Sequence, residues 1–471
     1  MTSDTRTGFA PATGGRCGAS PPGEPISATE SVCPSCLARV DAHRVRVDDD
    51  VYLRKTCPDH GTFQTIVWRG RYPDFEGWAR PKLPAYPDRP STPVDRGCPF
   101  DCGMCPDHRQ QTCTALLEVT GRCDLRCAFC FADAGVCPSD DPSLAVVESW
   151  FRALLDSNGP CNVQLSGGEP TMRDDLAAVV ELGRSMGFEF IQLNTNGLRL
   201  AKDPDYVRGL ARSGLSSVFL QFDGTDDEIQ QSMRGRRLLD RKRAAIAACA
   251  DNDLGVVLVP TLVPGINTDD IGGIIDFALE HFPAVKGVHF QPVSYFGRYP
   301  EAPTDDRRFT IPDVIRAIGE QTGGRVTPES ITTSGCENAL CSLHGNFVVM
   351  PDGALRPWTK HQSGACCAPT SAAEGAEKTR GFVADHWSAG GAFIPLSSIG
   401  DARMGDWDVF LARKETHTFT ISGMAFQDAW NLDLDRLREC CIHTVSPDGR
   451  IIPFCAYNLT DRFGRAMYRR P

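Results

Sequence analysis

A three-cysteine loop set at the head of a repeating strand–helix pattern constrains this chain most. Cys123-Asp-Leu-Arg-Cys127-Ala-Phe-Cys130 follows directly on the apolar run Leu116–Val119. A closed tetrahedral metal site wants four thiolates. Three thiolates on one loop can hold three irons of a [4Fe–4S] cluster and leave the fourth open. From Thr114 to about Gly323, short β-rich runs alternate with amphipathic helical runs. That alternation predicts a parallel sheet or barrel.

The predicted strands are Leu116–Val119, Val163–Leu165, Ile191–Leu193, Val218–Phe222, Val256–Val259 and Val288–Gln291. Predicted helices between them include Leu144–Asp156, Asp174–Met186, Ala244–Ala250 and Ile271–His281. Six such units make an α/β fold, a partial (β/α)6 barrel open on one side. Polar and glycine residues gather past the strand ends, where parallel barrels bind ligands. These are Ser166-Gly167-Gly168-Glu169-Pro170, Asn194 and Asn196, and Gln221 with Asp223. Glycines leave backbone carbonyls open to a ligand's amino group. Arg234 could meet a carboxylate, and ordinary turn chemistry competes at each of these polar positions.

Twenty-one cysteines in 471 residues bring further metal into view. Clustered cysteines in a reducing compartment mean metal rather than disulfides. Cys33-Pro-Ser-Cys36 and Cys57-Pro-Asp-His60 have the knuckle spacing of a zinc ribbon or a rubredoxin-like iron site. Cys98, Cys102, Cys105 and Cys113 lie within sixteen residues and read as a complete auxiliary Fe–S set, with a zinc knuckle as the alternative. His108 reads as a turn or cluster-sulfur donor, not a ligand. Two later segments, each with a Pro-Asp-Gly turn, read as hairpins with cysteines at their roots. Cys336, Cys341, Cys440 and Cys455 form the expected second auxiliary set, with Cys441 competing against Cys440. Cys137, Cys161 and Cys249 read as incidental, Cys366-Cys367 as non-ligands, and Trp68 and Trp78 as packing residues.

The expected organisation is a disordered Gly/Pro/Ser/Thr-rich tail over 1–30 and a β-rich metal domain with a Pro-rich linker over 31–90. An auxiliary-cluster loop over 91–113, the barrel over 114–325 and a C-terminal cluster-binding hairpin region over 326–471 follow. The net charge of −11 argues against nucleic acid as a partner. No apolar opening segment or membrane-length run stands in the sequence, so the expected location is the cytoplasm.

The cysteine loop together with Gly167-Gly168-Glu169-Pro170 resembles the radical SAM superfamily. That resemblance implies S-adenosylmethionine (SAM) on the open iron, a 5′-deoxyadenosyl radical, and an external electron donor of flavodoxin or ferredoxin type. Ser166 to Pro170, Asn194, Asn196, Gln221, Asp223 and Arg234 would then be SAM contacts. The run from Cys98 to Cys113, Met424 to Cys440, and Pro447 to Asn458 resemble the archaeal tetraether lipid synthase family, across roughly residues 30 to 460. Relatives of that family are also described as pterin-methylating radical SAM proteins. By this resemblance there are two auxiliary [4Fe–4S] clusters and a mononuclear iron or zinc. The implied reaction is C–C coupling of lipid alkyl chains, with transient membrane contact. The alternative is methylation of a pterin-like ring or another small-molecule or peptide modification. An Fe–S electron-transfer protein is the non-enzyme alternative, and it has no need of Gly167-Gly168-Glu169-Pro170.

Overall fold

The computed structural model describes residues 23–78, 82–135, 140–359, 371–388, 406–414 and 416–469. Strands β1 (Glu24–Val32), β2 (Arg39–Val47), β3 (Asp50–Cys57) and β4 (Gly61–Trp68) form an antiparallel meander in chain order. The expected tail is thus corrected at its end: β1 begins at Glu24 and pairs with β2 from Glu24 to Val32. Its sequence is polar because it is an edge strand. Main-chain pairing and side-chain bonds hold it, as Thr29 Oγ1 donates to Asp433 at 2.8 Å, together with the burial of Val32 at its end. Residues 1–22 lie outside the described residues.

Helix α1 (Tyr72–Trp78) follows the meander. Trp68 packs on Phe75 and Trp78 at centroid distances of 5.6 and 6.0 Å, and all three join the main core. The meander is bonded to the rest of the protein by Arg44 to Asp433 at 2.5 Å, Arg69 to Asp313 at 2.7 Å, and Lys55 Nζ to the Ala429 carbonyl at 2.7 Å.

The main sheet is built from β5 (Thr114–Thr120), β6 (Asn162–Gly167), β7 (Ile191–Thr195), β8 (Ser217–Gln221), β9 (Gly255–Val259), the short β10 (Thr261–Leu262) and β11 (Val285–Pro292). Helices α2 (Leu144–Asn158), α3 (Leu176–Ser185), α4 (Pro204–Arg212), α5 (Asp227–Arg234), α6 (Leu239–Ala250) and α7 (Ile271–Glu280) make the crossovers. The six long strands pair in parallel in the order β5-β6-β7-β8-β9-β11, as the βα pattern predicts. After α8 (Ile311–Gln321) come the hairpin β12 (Ser342–Val349)–β13 (Leu355–Pro357), α9 (Ala372–Trp387), α10 (Asp406–Lys414), β14 (Thr418–Met424), α11 (Leu434–Arg438), the hairpin β15 (Ile442–Val445)–β16 (Ile451–Pro453) and α12 (Phe454–Tyr457).

Both hairpins form around their Pro-Asp-Gly turns. They also extend the barrel sheet at opposite edges: β14 pairs in parallel with β11, and β15 in parallel with β5. Helix α9 lies across the N-terminal ends of the strands. A Cβ at Gly255, the first residue of β9, would stand 2.4 Å from the Trp387 carbonyl, so only glycine lets the helix seat there. Among the described residues, no helix is long and apolar enough to cross a membrane.

Candidate functional site

The loop after β5 carries Cys123, Cys127 and Cys130, each half-buried, onto the wall of one cavity of about 300 Å³. Backbone bonds fix the loop from outside. Cys130 exchanges N–H···O=C bonds of 2.9 Å with Arg298, Ala128 N–H donates to Met233 O, and Arg298 Nε donates to the Cys127 carbonyl at 3.0 Å. Burial pushes the Cys123 thiol up to about 12, so without metal it keeps its proton at neutral pH. The three thiols of the loop, facing one cavity and none paired in a disulfide, fit the three protein ligands of an Fe–S cluster.

The end of β6 lies against this loop. Gly167 has φ 113°, and a Cβ there would stand 2.3 Å from the Thr120 carbonyl; at Gly168 it would stand 2.1 Å from the Arg122 carbonyl. Gly168 and Glu169 N–H donate to these same two carbonyls. Close approach of the cluster loop therefore requires both glycines, beyond the need to leave a ligand room. Ser166 lines the cavity beside them. Glu169 lines the cavity as well, yet its carboxylate is claimed by four donors: Thr171 N–H and Oγ1, Thr195 Oγ1 and Asn196 N–H, at 2.6–3.1 Å. It anchors the β6 end to the β7 end, and burial still raises its pKa against those bonds. Pro170 opens the 3-10 turn Pro170–Met172 and is not part of the cavity wall.

Asn196, Gln221 and Arg234 reach the wall, and Asn194 does so deeper along β7. Asn196 Nδ2 donates to Asp124 at 2.7 Å, tying it to the cluster loop. Asp223 differs from expectation: it is fully buried and outside the wall, and it grips Arg234 through two bonds of 2.6 and 2.7 Å. Its charge fixes the guanidinium, which is the last residue of α5 before the left-handed Gly235 cap. Lys242, absent from the expected site, is fully buried and donates to the Asn196 carbonyl and to Gln221 Oε1. Burial lowers its pKa to about 7.

Below this level the wall carries Gln164, Gln192, Asn194, Phe219, His289 and Gln291, with Trp387 and Val383 of α9 as the floor. Burial lowers the His289 pKa to about 4, so the ring is neutral. The amides were legible in principle. Gln164 in β6, and Gln192 and Asn194 at alternate positions of β7, interrupt apolar strands, the pattern of strands whose inward face meets a polar ligand.

The cysteine sets divide differently from their spacing. Cys33, Cys36, Cys57 and His60 bring their ligand atoms within 4.8 Å of one another, as the knuckles predict. Cys98, Cys102 and Cys105 line a small pocket with Leu437 and Pro453. Cys113 has left that set and packs with Cys336 and Cys441, whose hydrogen bonds draw its thiol well below the ordinary range. The register is the reason. Thr114 pairs with Ile442, so Cys113 and Cys441 are neighbours immediately before paired strands. Asn162 occupies the same row on β6, which brings Cys161 beside Cys113 as well. Cys336 therefore leaves the expected second set. Cys341, Cys440 and Cys455 remain together, the charges of Cys455 and Cys341 adding to burial in raising the Cys440 thiol. Cys440 and Cys441 serve different groups because consecutive residues of an extended chain face opposite ways. His108 Nε2 lies 2.8 Å from the Cys440 carbonyl, a structural bond. Cys137, Cys366 and Cys367 lie outside the described residues.

With this geometry, comparison with known proteins is direct. The radical SAM superfamily description matches residues 117–278, and the description "HMPTM N-terminal zinc ribbon domain" matches residues 25–69. The chain is 35% identical over 475 residues to the 7,8-dihydro-6-hydroxymethylpterin dimethyltransferase of Methanocaldococcus jannaschii, covering 92% of this chain and 94% of that protein. The chain belongs to the family of that dimethyltransferase, within the radical SAM superfamily. This radical SAM enzyme is also similar to the GTP 3′,8-cyclase of Chlorobaculum tepidum, at 30% identity over 37% of this chain and 53% of the cyclase. The crystal structure of Streptococcus suis SuiB bound to S-adenosylmethionine aligns at 19% identity with a TM-score of 0.37, over 45% of this chain and 47% of that one.

Proposed function

We propose that this enzyme methylates a pterin-like ring. The observation that carries the reading is the chamber beneath the cluster loop: compact, walled by apolar and aromatic side chains with the amides of Gln164, Gln192, Asn194 and Gln291 set among them, and covered below by α9 among the described residues. About 300 Å³ lies at the lower end of the roughly 300–1,000 Å³ typical of small-ligand sites. Amides spaced along three strands suit a heterocycle edged with donors and acceptors, and they have nothing to offer an alkyl chain. The family relative named for a pterin points the same way. Coupling of lipid alkyl chains would need a long apolar channel in place of these amides.

Cys123, Cys127 and Cys130 would hold the SAM cluster, with the Ser166–Gly168 turn, Asn196 and Arg234 against SAM itself. When bound, cluster and SAM supply a 5′-deoxyadenosyl radical able to abstract hydrogen from an inert C–H bond. The protein's own part is positional. Glu169 locks two strand ends together, Asp223 orients Arg234, and the walls keep water from the reacting carbon. Cys33, Cys36, Cys57 and His60 would hold one zinc or iron. The Cys98, Cys113 and Cys341 groups would hold auxiliary clusters, and a flavodoxin- or ferredoxin-type donor would supply the electron.

The test is anaerobic incubation of reconstituted, reduced enzyme with SAM and 6-hydroxymethyl-7,8-dihydropterin, in the presence of cell extract as a source of any further methyl donor. Mass spectrometry should show 5′-deoxyadenosine and a pterin heavier by one or two methyl groups. Unmodified pterin alongside lipids joined with loss of two hydrogens would replace this reading with the coupling reaction.

A further inference from the structure

We propose that Trp387 and Asn194 read the edge of the substrate: the chamber is built for one flat heterocycle that offers both a donor and an acceptor. This rests on the pterin reading and names the residues that give it specificity.

Three observations converge. First, the amides of the wall form a chain with a fixed direction. Ser217 Oγ donates to the Gly255 carbonyl at 3.2 Å, so it accepts from Gln192 Nε2 at 3.3 Å. Gln192 Oε1 accepts from Gln164 Nε2 at 2.9 Å, and Gln164 Oε1 accepts from Asn194 Nδ2 at 3.2 Å. Each link assigns the next amide's orientation. The chain ends at Asn194 Oδ1, which is buried and has no partner among the described residues.

Second, Trp387 on the floor is 8% exposed, and its indole Nε1–H has no partner among the described residues. Both residues line the same cavity. A buried donor and a buried acceptor left unmet are costly and rare in native proteins unless a ligand meets them. Third, the wall between them is aromatic. Phe219 lies against His289 at 5.5 Å with 29° between planes, and against Trp387 at 5.3 Å with 40°. Such a wall takes a flat ring by its face.

The ligand therefore needs an exocyclic 2-amino N–H for Asn194, an acceptor nitrogen or carbonyl for Trp387, and a planar body. A 2-amino-4-oxopteridine has all three and an alkyl chain has none. Asn194 then belongs to substrate recognition, on β7 two residues before Asn196 and away from the cluster loop.

The test titrates anaerobically reconstituted full-length enzyme with 6-hydroxymethylpterin, following its fluorescence, and with 6-hydroxymethyllumazine, a lumazine that differs only in carrying an oxo group where the pterin carries the 2-amino group. SAM affinity is measured on the same samples. Trp387→Phe keeps the ring and loses the N–H, and should weaken pterin binding about tenfold, the scale of one buried hydrogen bond. Asn194→Leu should weaken it about tenfold or more and erase the preference for pterin over lumazine, while Trp387→Phe keeps that preference. SAM affinity should stay within about twofold in both, a result that misfolding would not give. Unchanged pterin affinity in both variants, or an unchanged pterin preference in Asn194→Leu, overturns the assignment. A wild-type enzyme that binds no pterin at all overturns the substrate reading on which it rests, and the two failures are distinct.

Discussion

The N-terminal ribbon and the C-terminal cysteines both gather sulfur ligands, by opposite means. In the ribbon, each ligand pair sits on one tight turn between adjacent antiparallel strands. Cys36 and Cys57 Sγ are 4.0 Å apart, and His60 Nδ1 is 3.4 Å from Cys57 Sγ. In the C-terminal region the groups draw on β5, β6, β12 and β15, which are remote in sequence and meet only because the sheet continues past the barrel at both edges. A local site can be written in spacing alone. A non-local one is written in strand register, which no spacing records.

The largest effect tests the local extreme. Replacing Cys123, Cys127 and Cys130 together by Ala should reduce 5′-deoxyadenosine formation to background, because all three iron ligands of one loop vanish. Spectroscopic signals of the other clusters should persist in anaerobically reconstituted protein. Retained SAM cleavage would show that the loop is not the seat of the chemistry.

The ribbon should fail next, and on its own terms. Structural metal sites contribute on the order of 10 kcal/mol to small domains. Cys57→Ser should therefore release the metal and open the ribbon sheet to hydrogen exchange. Protection in β5 to β9 should hold, since those strands pair with one another. Metal content by elemental analysis and exchange mapping of both regions check this. Simultaneous loss of protection in the barrel would mean that the seam residues Arg44, Lys55 and Arg69 bind the two regions into one cooperative unit.

A finer test separates neighbours. Cys440→Ser and Cys441→Ser differ by one residue in position, yet should perturb different clusters, with Cys113→Ser reproducing the Cys441→Ser change. Paramagnetic resonance of the reduced variants reads this. Identical spectra for Cys440→Ser and Cys441→Ser would restore a single set.

What was legible follows the same division. The alternation of β-rich and helical runs placed β5 to β9, β11 and the cluster loop, because such runs and a loop spacing are local properties. Both Pro-Asp-Gly hairpins were legible for the same reason. The partner of Cys113 was not, because the Thr114–Ile442 pairing spans most of the chain. Asp223 stood at a strand end like a ligand contact, and only the neighbouring Arg234 shows it to be a buried counter-ion. Lys242 gave no signal, since a lysine in a helix reads as solvated until packing buries it. The polar start of β1, up to residue 30, reads as tail in the sequence because an edge strand needs little apolar face to pair.

The smallest expected effect compares the two buried lysines, one in each region. Lys55, in the ribbon seam, donates to Ser31 Oγ and the Ala429 carbonyl. Lys242 lies behind the cavity wall, and burial brings each down from 10.5 to about 7. The sign follows from proton counting. Between about pH 7 and 10.5 the unfolded chain holds more protons on these groups than the folded one, so folding stability rises with pH across that window. Below the folded pKa, both states are charged and the burial penalty is fully present. The slope is at most about 1.4 kcal/mol per pH unit for each lysine. Lys55→Met should flatten the pH dependence of ribbon opening, and Lys242→Met that of barrel opening, as read by hydrogen exchange corrected for its intrinsic rate between pH 7 and 9. If both variants keep the wild-type slope in both regions, neither lysine is neutralised on folding. If either variant flattens both regions, the ribbon and barrel share one unfolding unit, and the contrast between them is one of ligand geometry without a matching difference in stability.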